Sequence, residues 1–303
     1  VSDVIQEQLK GRYMAAVESF VDKVKSDPNV IAVVVCGSLS YDVVWDKSDI
    51  DITVIIRDQP LTTWNYCIIE DGITLSIELG VRSGIKRFLE RSLGGSFGQS
   101  YYANAKIVYT TDDSLYEYFE DIKTIGADDI PLSAMMNAAS LLAICKKSRK
   151  WLLARKDPLY AQYWLIMAAE FIAKMELCVH GLPFNRDGIK KALEVNPELL
   201  RPYYQDAMSR IYSGDDIMAA INKVNEYLNT YVDLIKEPVI DFLSGQEMQT
   251  MTMINKHFKS SGDALVYVLD WLAEKEIIQK VSKTIRLTPK SKASVEEIGY
   301  LYV

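Results

Sequence analysis

The stretch Val30-Ile31-Ala32-Val33-Val34-Val35-Cys36-Gly37-Ser38, followed after ten residues by Asp49-Ile50-Asp51-Ile52-Thr53-Val54-Ile55-Ile56, decides the fold. Its first part is an unbroken apolar run rich in Val, the pattern of a strand buried on both faces and central in a sheet. The second part alternates: Ile50, Ile52, Val54 and Ile56 point one way, and Asp49, Asp51 and Thr53 the other. Downstream, Asp71-Gly72 predicts a tight hairpin between Trp64–Glu70 and Ile73–Val81. The strand after this turn sets Ile73, Leu75, Ile77, Leu79 and Val81 on one face and Thr74, Ser76, Glu78 and Gly80 on the other. One face of the sheet is therefore core, and the other is unusually polar and carries three acids.

Outward from this sheet, residues 4–25 place Val4, Ile5, Leu9, Tyr13, Val17, Phe20, Val21 and Val24 at helical spacing, and Asp27-Pro28-Asn29 stops the pattern. A helix over about 83–93, a strand over about 105–109 and a helix over about 113–123 complete an α/β unit spanning 1–127. After Asp128-Asp129-Ile130-Pro131 the pattern becomes helical, over 132–156, 158–180, 186–195, 198–212 and 215–235, which predicts a helical bundle over 128–235. Beyond Lys236-Glu237-Pro238, two short helices (247–259 and 262–275) run into a hairpin with its tip at Ser282-Lys283. That order resembles a winged helix-turn-helix over 236–303. The expected class is α+β: a mixed-sheet domain, a helical bundle and a winged-helix-like unit.

The 303 residues carry 34 Lys plus Arg against 41 Asp plus Glu, a net charge of -7, and 49% hydrophobic content. This balance excludes a wholly disordered chain and argues against a general nucleic-acid coat, which needs surplus cations. Cys36, Cys67, Cys145 and Cys178 are widely spaced and lack a CxxC pair, so they read as buried thiols in a reducing compartment. No apolar stretch is long enough to span a bilayer, since Glu170, Lys174 and Glu176 interrupt the longest ones. No secretory signal pattern is seen in the given N-terminus, and the expected location is the cytoplasm.

Gly37-Ser38 at the end of a buried strand, then Trp45-Asp46-Lys47-Ser48-Asp49-Ile50-Asp51, resembles the GS…SDxD signature of the DNA polymerase β-like nucleotidyltransferase superfamily. A domain of this kind ahead of a helical bundle is most similar in layout to the branch that modifies antibiotics, the aminoglycoside and lincosamide nucleotidyltransferases. The resemblance implies that Asp49 and Asp51 bind two Mg²⁺ ions, that Glu78 is the third carboxylate, and that Gly37, Ser38, Lys47 and Ser48 contact the nucleotide. The chemistry agrees. Two carboxylates two residues apart on a strand project to the same face and repel unless cations bind them, and their hard oxygens suit Mg²⁺, which also takes triphosphate oxygens. Glu70 lies in the same hairpin but beside its turn, whereas Thr74 and Ser76 place Glu78 on a polar face.

One departure from the resemblance matters for phosphate binding. The loop from Leu39 to Asp46 holds no Arg or Lys, leaving only Lys47, so further cations must come from a metal or from the bundle. Lys146 and Lys150, one helical turn apart in a run with Lys147 and Arg149, are the candidates, against the plainer reading of a solvated helix face. The same relatives supply a general base from the bundle; Glu170 and Glu176 are weak candidates, each more simply explained by an ion pair with Lys174 or by exposure. Tyr101, Tyr102, Tyr160, Tyr163 and Trp164 are expected in the core, and His180 and His257 receive no role. In the tail, nine basic residues balance nine acidic ones, and Asp263, Asp270, Glu274 and Glu276 would repel DNA, so docking of a partner, dimerisation or a lid role is favoured over sequence reading.

The expected activity is transfer of a nucleoside monophosphate from an NTP, taken as ATP, to a hydroxyl of a small molecule such as an aminoglycoside-like antibiotic. The alternatives are a nucleotide-binding regulator with a DNA- or protein-binding tail, and an enzyme that modifies a protein with NMP.

Overall fold

The computed structural model describes residues 3–40, 44–92, 97–245, 247–261, 263–290 and 292–302. Tyr41–Val43 of the loop before Asp49, Leu93 at the end of one expected helix and Gly262 at the start of another lie outside them. The chain forms two compact units, one of Val1–Gly126 with Leu182–Arg186, the other of Ala127–Gly181 with Asp187–Val303.

In the first unit, strands β1 (Val30–Val35), β2 (Ile50–Ile56), β3 (Asn65–Glu70), β4 (Ile73–Val81) and β5 (Lys106–Thr110) form one sheet in the order β3-β4-β2-β1-β5. Only β2 and β4 run parallel among the paired strands, so the sheet is mixed. The hairpin turn falls at Asp71 and Gly72, both with positive φ (49° and 76°), as the Asp-Gly pair requires. The continuous apolar run of β1 is buried on both sides. Val33 and Val35 join Ile50, Ile52 and Leu75 under Tyr13, Val17 and Phe20 of the Asp3–Val24 helix. Ala32, Val34 and Cys36 join Ile55 under Ile85, Leu89, Tyr102 and Phe119.

The second face is thus polar over only part of its area. Ile55 and Thr53 are fully buried on it, because the helices Arg82–Ser92, Phe97–Tyr102 and Ser114–Asp121 supply residues that cover that end. The packing is close: a Cβ on Gly80 would lie 2.5 Å from Ile85. The other end, around Asp51, Ser76 and Glu78, stays open. Cys67 on β3 is exposed, contrary to the expectation of four buried thiols, while Cys36, Cys145 and Cys178 are buried. Strand β3 is an edge strand, and periodicity does not reveal whether anything covers an edge.

The second unit is built on the helices Ile130–Leu153, Pro158–Val179, Gly188–Val195, Gly214–Thr230 and Val232–Leu243. Two helical expectations break here. The span 198–212 is two short turns, Pro197–Leu200 and Gln205–Ser209, because Pro202 has no N–H to continue the first. Conversely, Pro238 sits inside the Val232–Leu243 helix instead of ending one. Tyr160 (42% exposed) and Tyr163 (46%) lie on the surface, whereas Tyr102 is core. No helix among the described residues is long and apolar enough to cross a membrane.

Glu176, only 2% exposed, is the buried acid among the described residues of this unit. Tyr227 donates its hydroxyl to Oε2 at 2.7 Å, Asn196 Nδ2 donates to Oε1 at 3.1 Å, and His180 Nε2 lies 3.4 Å from Oε1. His180, given no partner by the sequence reading, therefore has a carboxylate partner one helical turn back, at the i, i+4 spacing of Glu176. Tyr227→Phe should cost about 1–3 kcal/mol, the penalty of leaving a buried carboxylate short of a donor. Denaturant unfolding checks this, with Tyr231→Phe as a control expected to stay within about 0.5 kcal/mol of the parent.

The small C-terminal sheet contains β6 (Gln249–Thr250), β7 (Gln279–Arg286) and β8 (Ser294–Leu301) in the order β6-β8-β7, with helices Met251–His257 and Val266–Glu274 between β6 and β7. The hairpin tip is not at Ser282-Lys283. Those residues are mid-strand, paired with Ile298 and Glu297 of β8, and the reversal comes after Arg286. Ser282 and Thr284 both donate to the Glu296 carboxylate across the strands, at 2.9 and 2.6 Å, so these polar residues stabilise pairing where a turn was expected.

Candidate active site

Asp51 lies on β2 directly beside Ser76 of β4, and Thr53 directly beside Glu78. Asp51, Ser76 and Glu78 therefore share the open end of the sheet face. Gly37 starts the Gly37–Ser40 turn immediately after β1 and has φ +63°, the left-handed region. A Cβ there would fall on Oδ2 of Asp51 and within 2.8 Å of its Cγ. Only glycine leaves room for the Asp51 carboxylate at this place. The strand ends are pinned together by Cys36 N–H donating to the Asp51 carbonyl at 2.8 Å, and the turn by Ser40 Oγ donating to the Gly37 carbonyl at 2.7 Å.

Asp49 precedes β2 and is exposed, and its position is held from two sides. Ser76 Oγ donates to its Oδ2 at 2.7 Å. The buried Tyr13 hydroxyl meets the carbonyls of Trp45 (3.0 Å) and Ser48 (2.8 Å), tying the segment before Asp49 to the first helix. Burial, then the nearby charge of Asp49, raises the Asp51 carboxyl above the ordinary carboxylate value, and Arg186 partly opposes this. The Asp51 carboxylate has no hydrogen bond or ion pair among the described residues. A half-buried, unpaired carboxylate beside a second one is the electrostatic situation that a cation relieves.

Among the described residues no three His, Cys, Asp or Glu side chains stand close enough to hold a metal ion. The register explains this. Glu78 lies two residues beyond the neighbour of Asp51, which separates their backbones by about 8 Å. The pair Asp49 and Asp51 nonetheless fits Mg²⁺, which commonly takes one or two carboxylates and fills its other positions with water and phosphate oxygens. Glu78 is exposed and unpaired among the described residues. Glu70, its rival in the hairpin, is 5% exposed and bound by Ser19 Oγ (2.6 Å) and Lys23 Nζ (2.6 Å), away from this site.

Beneath the acids lies a layer of neutral donors. Thr53 Oγ1 meets the Tyr102 hydroxyl at 3.0 Å and the Cys36 thiol at 3.8 Å. Burial pushes the Cys36 thiol up to about 12, and burial with the charges of Asp51 and Glu78 also drives the Tyr101 phenol upward. Both stay protonated at neutral pH. Beside them a cavity of about 730 Å³ extends from Asp51 and Glu78 to Phe88, Arg87 and Tyr101.

Of the remaining sequence candidates, Ser38 is half-buried in the turn after Gly37, and Ser48 accepts from Tyr13 through its carbonyl. Lys47 is exposed, with Nζ 5.8 Å from the Trp45 ring centre. Lys146 and Lys150 belong to the second unit, where Lys146 stands 5.1 Å over the Tyr267 ring in a cavity it shares with Arg149, Asp270 and Glu274. Glu170 is held by Lys174 at 2.6 Å. The residue that sequence reading missed is Arg186. It follows the bundle helix in sequence, yet belongs to the first compact unit and acts electrostatically on Asp51. The Gly181-Leu182-Pro183 break before it was the available signal that the chain leaves the bundle there.

No family model matches the sequence, and no curated protein matches it. Among solved structures, the chain is similar to a nucleotidyltransferase-like protein from Exiguobacterium sibiricum, with a TM-score of 0.62 at 16% identity over 95% of this chain and 99% of that one. The likeness runs through almost the whole length of both chains, and this protein shares the fold of that one.

Proposed function

We propose that the protein is a Mg²⁺-dependent nucleotidyltransferase that moves a nucleoside monophosphate from an NTP to a hydroxyl of a small molecule and releases pyrophosphate. One observation carries the reading: the Asp51 carboxylate is seated against the bare Gly37, unpaired and beside Asp49, at an end of the sheet face that the described helices leave open. A nucleotidyltransferase-like fold in a second protein supports it.

Asp49 and Asp51 would hold Mg²⁺, which when bound supplies the positive charge that activates an acceptor oxygen and stabilises departing pyrophosphate. Glu78 would serve a second ion on the acceptor side. The Ser38 hydroxyl, which makes no hydrogen bond among the described residues, would meet triphosphate oxygens beside Gly37. Lys47 and Ser48 flank the same acids, and Lys146 and Lys150 are proposed as phosphate contacts by their charge alone. Arg186 would be the cation that the stretch from Leu39 to Asp46 lacks. Arg186→Ala should raise KM for the NTP about 10- to 100-fold, the value of a charge-assisted hydrogen bond, with partial recovery in Arg186→Lys.

The reading is tested by radiolabelled NMP transfer and pyrophosphate release against a panel of hydroxylated acceptors. If Asp49→Asn and Asp51→Asn both leave turnover intact, the assignment is wrong.

For the C-terminal unit, the strand-helix-helix-hairpin order supports a winged-helix-like module that docks a protein and does not read DNA. Its Val266–Glu274 helix is acidic, and Asp270 there binds Lys280 (2.7 Å) and the Tyr300 hydroxyl (2.7 Å), removing a wing cation from service to phosphate.

A further inference from the structure

We infer that the cavity beside Glu78 is a site for a planar aromatic alcohol. Its role as the acceptor site rests on the nucleotidyltransferase reading above, and it narrows the substrate class away from cationic amino sugars. The cavity measures about 730 Å³, within the range of small-molecule sites, and it begins at the carboxylates themselves. Its wall holds Phe88 and Tyr101, backed by Tyr102 in edge-to-face contact with each, at ring-centre distances of 5.8 and 5.0 Å. Tyr102 in turn meets Phe119 at 5.8 Å, so the aromatic wall is anchored in the core. Phe88 is 44% exposed although it lies next to buried rings, which leaves part of its surface open beside the cavity.

Charge decides against a polycation. Among the described residues, the ionisable lining residues other than tyrosine and cysteine are Asp51, Glu78 and Arg87. Asp51 and Glu78 are the acids proposed to serve metal ions, so a polyamine would find no spare carboxylate in the lining, and it would meet the Arg87 guanidinium. An aromatic ring instead gains edge-to-face packing, worth about 0.5–1.5 kcal/mol beyond its burial. Its hydroxyl can point toward Glu78. In the transfer that oxygen bonds the α-phosphorus of the NTP, the bond from that phosphorus to the α–β bridging oxygen breaks, and its electron pair leaves with pyrophosphate. The hydroxyl proton passes to solvent.

Cys67 provides a reporter that does not depend on turnover. It lines the cavity on β3, opposite Ser76, and is exposed, whereas the other three cysteines are buried. The rate of Cys67 alkylation by iodoacetamide is followed by mass spectrometry on the full chain with 2-naphthol, its saturated counterpart decahydro-2-naphthol, the polyamine sugar neamine, and adenosine. The expected result is saturable protection by 2-naphthol, with decahydro-2-naphthol at least about fivefold weaker and neamine without effect. Phe88→Ala should weaken 2-naphthol about fivefold, and Phe88→Tyr should retain it. Equal protection by the saturated alcohol, protection by neamine alone, or no protection by 2-naphthol overturns the proposal. Protection by adenosine as strong as that by 2-naphthol also overturns it, assigning the ring site to the nucleotide base. If 2-naphthol protects Cys67 but no NTP yields pyrophosphate with any acceptor, the ring site stands and the nucleotidyltransferase reading fails.

Discussion

Asp51→Asn is expected to reduce nucleotidyl transfer by at least about 10²–10³-fold, the loss typical when one preorganised electrostatic group is removed from a reacting centre. The same change should raise the melting temperature of the metal-free protein by about 1–3 °C. The two effects have one origin. Asp51 is partly buried beside Asp49, its carboxylate makes no hydrogen bond or ion pair among the described residues, and its carboxyl is raised by burial and by that neighbour. A carboxylate with a folded-state pKa above its unfolded value destabilises the fold at neutral pH. Stability is greatest below the unfolded value and declines as pH rises through the folded one. The neutral amide removes this cost and the cation-binding charge together. Thermal unfolding with and without Mg²⁺ separates them: added Mg²⁺ should stabilise the parent chain and leave Asp51→Asn unmoved. A melting temperature lowered by the substitution would show that Asp51 is held by contacts instead of merely tolerated.

Gly37→Ala should destabilise the protein by about 2–4 kcal/mol, combining about 1–2 kcal/mol for a left-handed residue with a Cβ and a further term for overpacking. The first part follows from φ +63°, and the second from the overlap of that Cβ with Oδ2 of Asp51. Because the overlapping atom is the proposed metal ligand, activity should fall further than stability does. A double-mutant cycle distinguishes the parts. With Asp51→Gly as background the overlap vanishes, and the cost of Gly37→Ala should shrink to the backbone share alone. A cost unchanged by that background would mean that Asp51 is not what confines position 37.

The periodicity of the chain was sufficient for the strands, the Asp71-Gly72 turn and the long helices, since each follows from side chains within one segment. The placement of Asp49, Asp51 and Glu78 on a single sheet face follows from the same alternation, once β2 and β4 are neighbours. Segment-level reading failed where the outcome depends on another segment. Polar Ser282 and Lys283 looked like a turn, yet pairing with β8 makes them mid-strand. Thr53 looked exposed, yet the Tyr102 hydroxyl covers and satisfies it.

Alternation along β2 thus establishes which residues oppose one another across the sheet, because a strand's side chains must point to opposite sides wherever the strand lies. Which part of the polar face stays open depends on what packs there. Helices covering Thr53 and Ile55 stop short of Asp51, an edge position exposes Cys67, and the Leu182–Arg186 segment returns to the first unit with a cation for Asp51. Burial and charge at a site are sums over segments distant in sequence, and they exist only once those segments have packed.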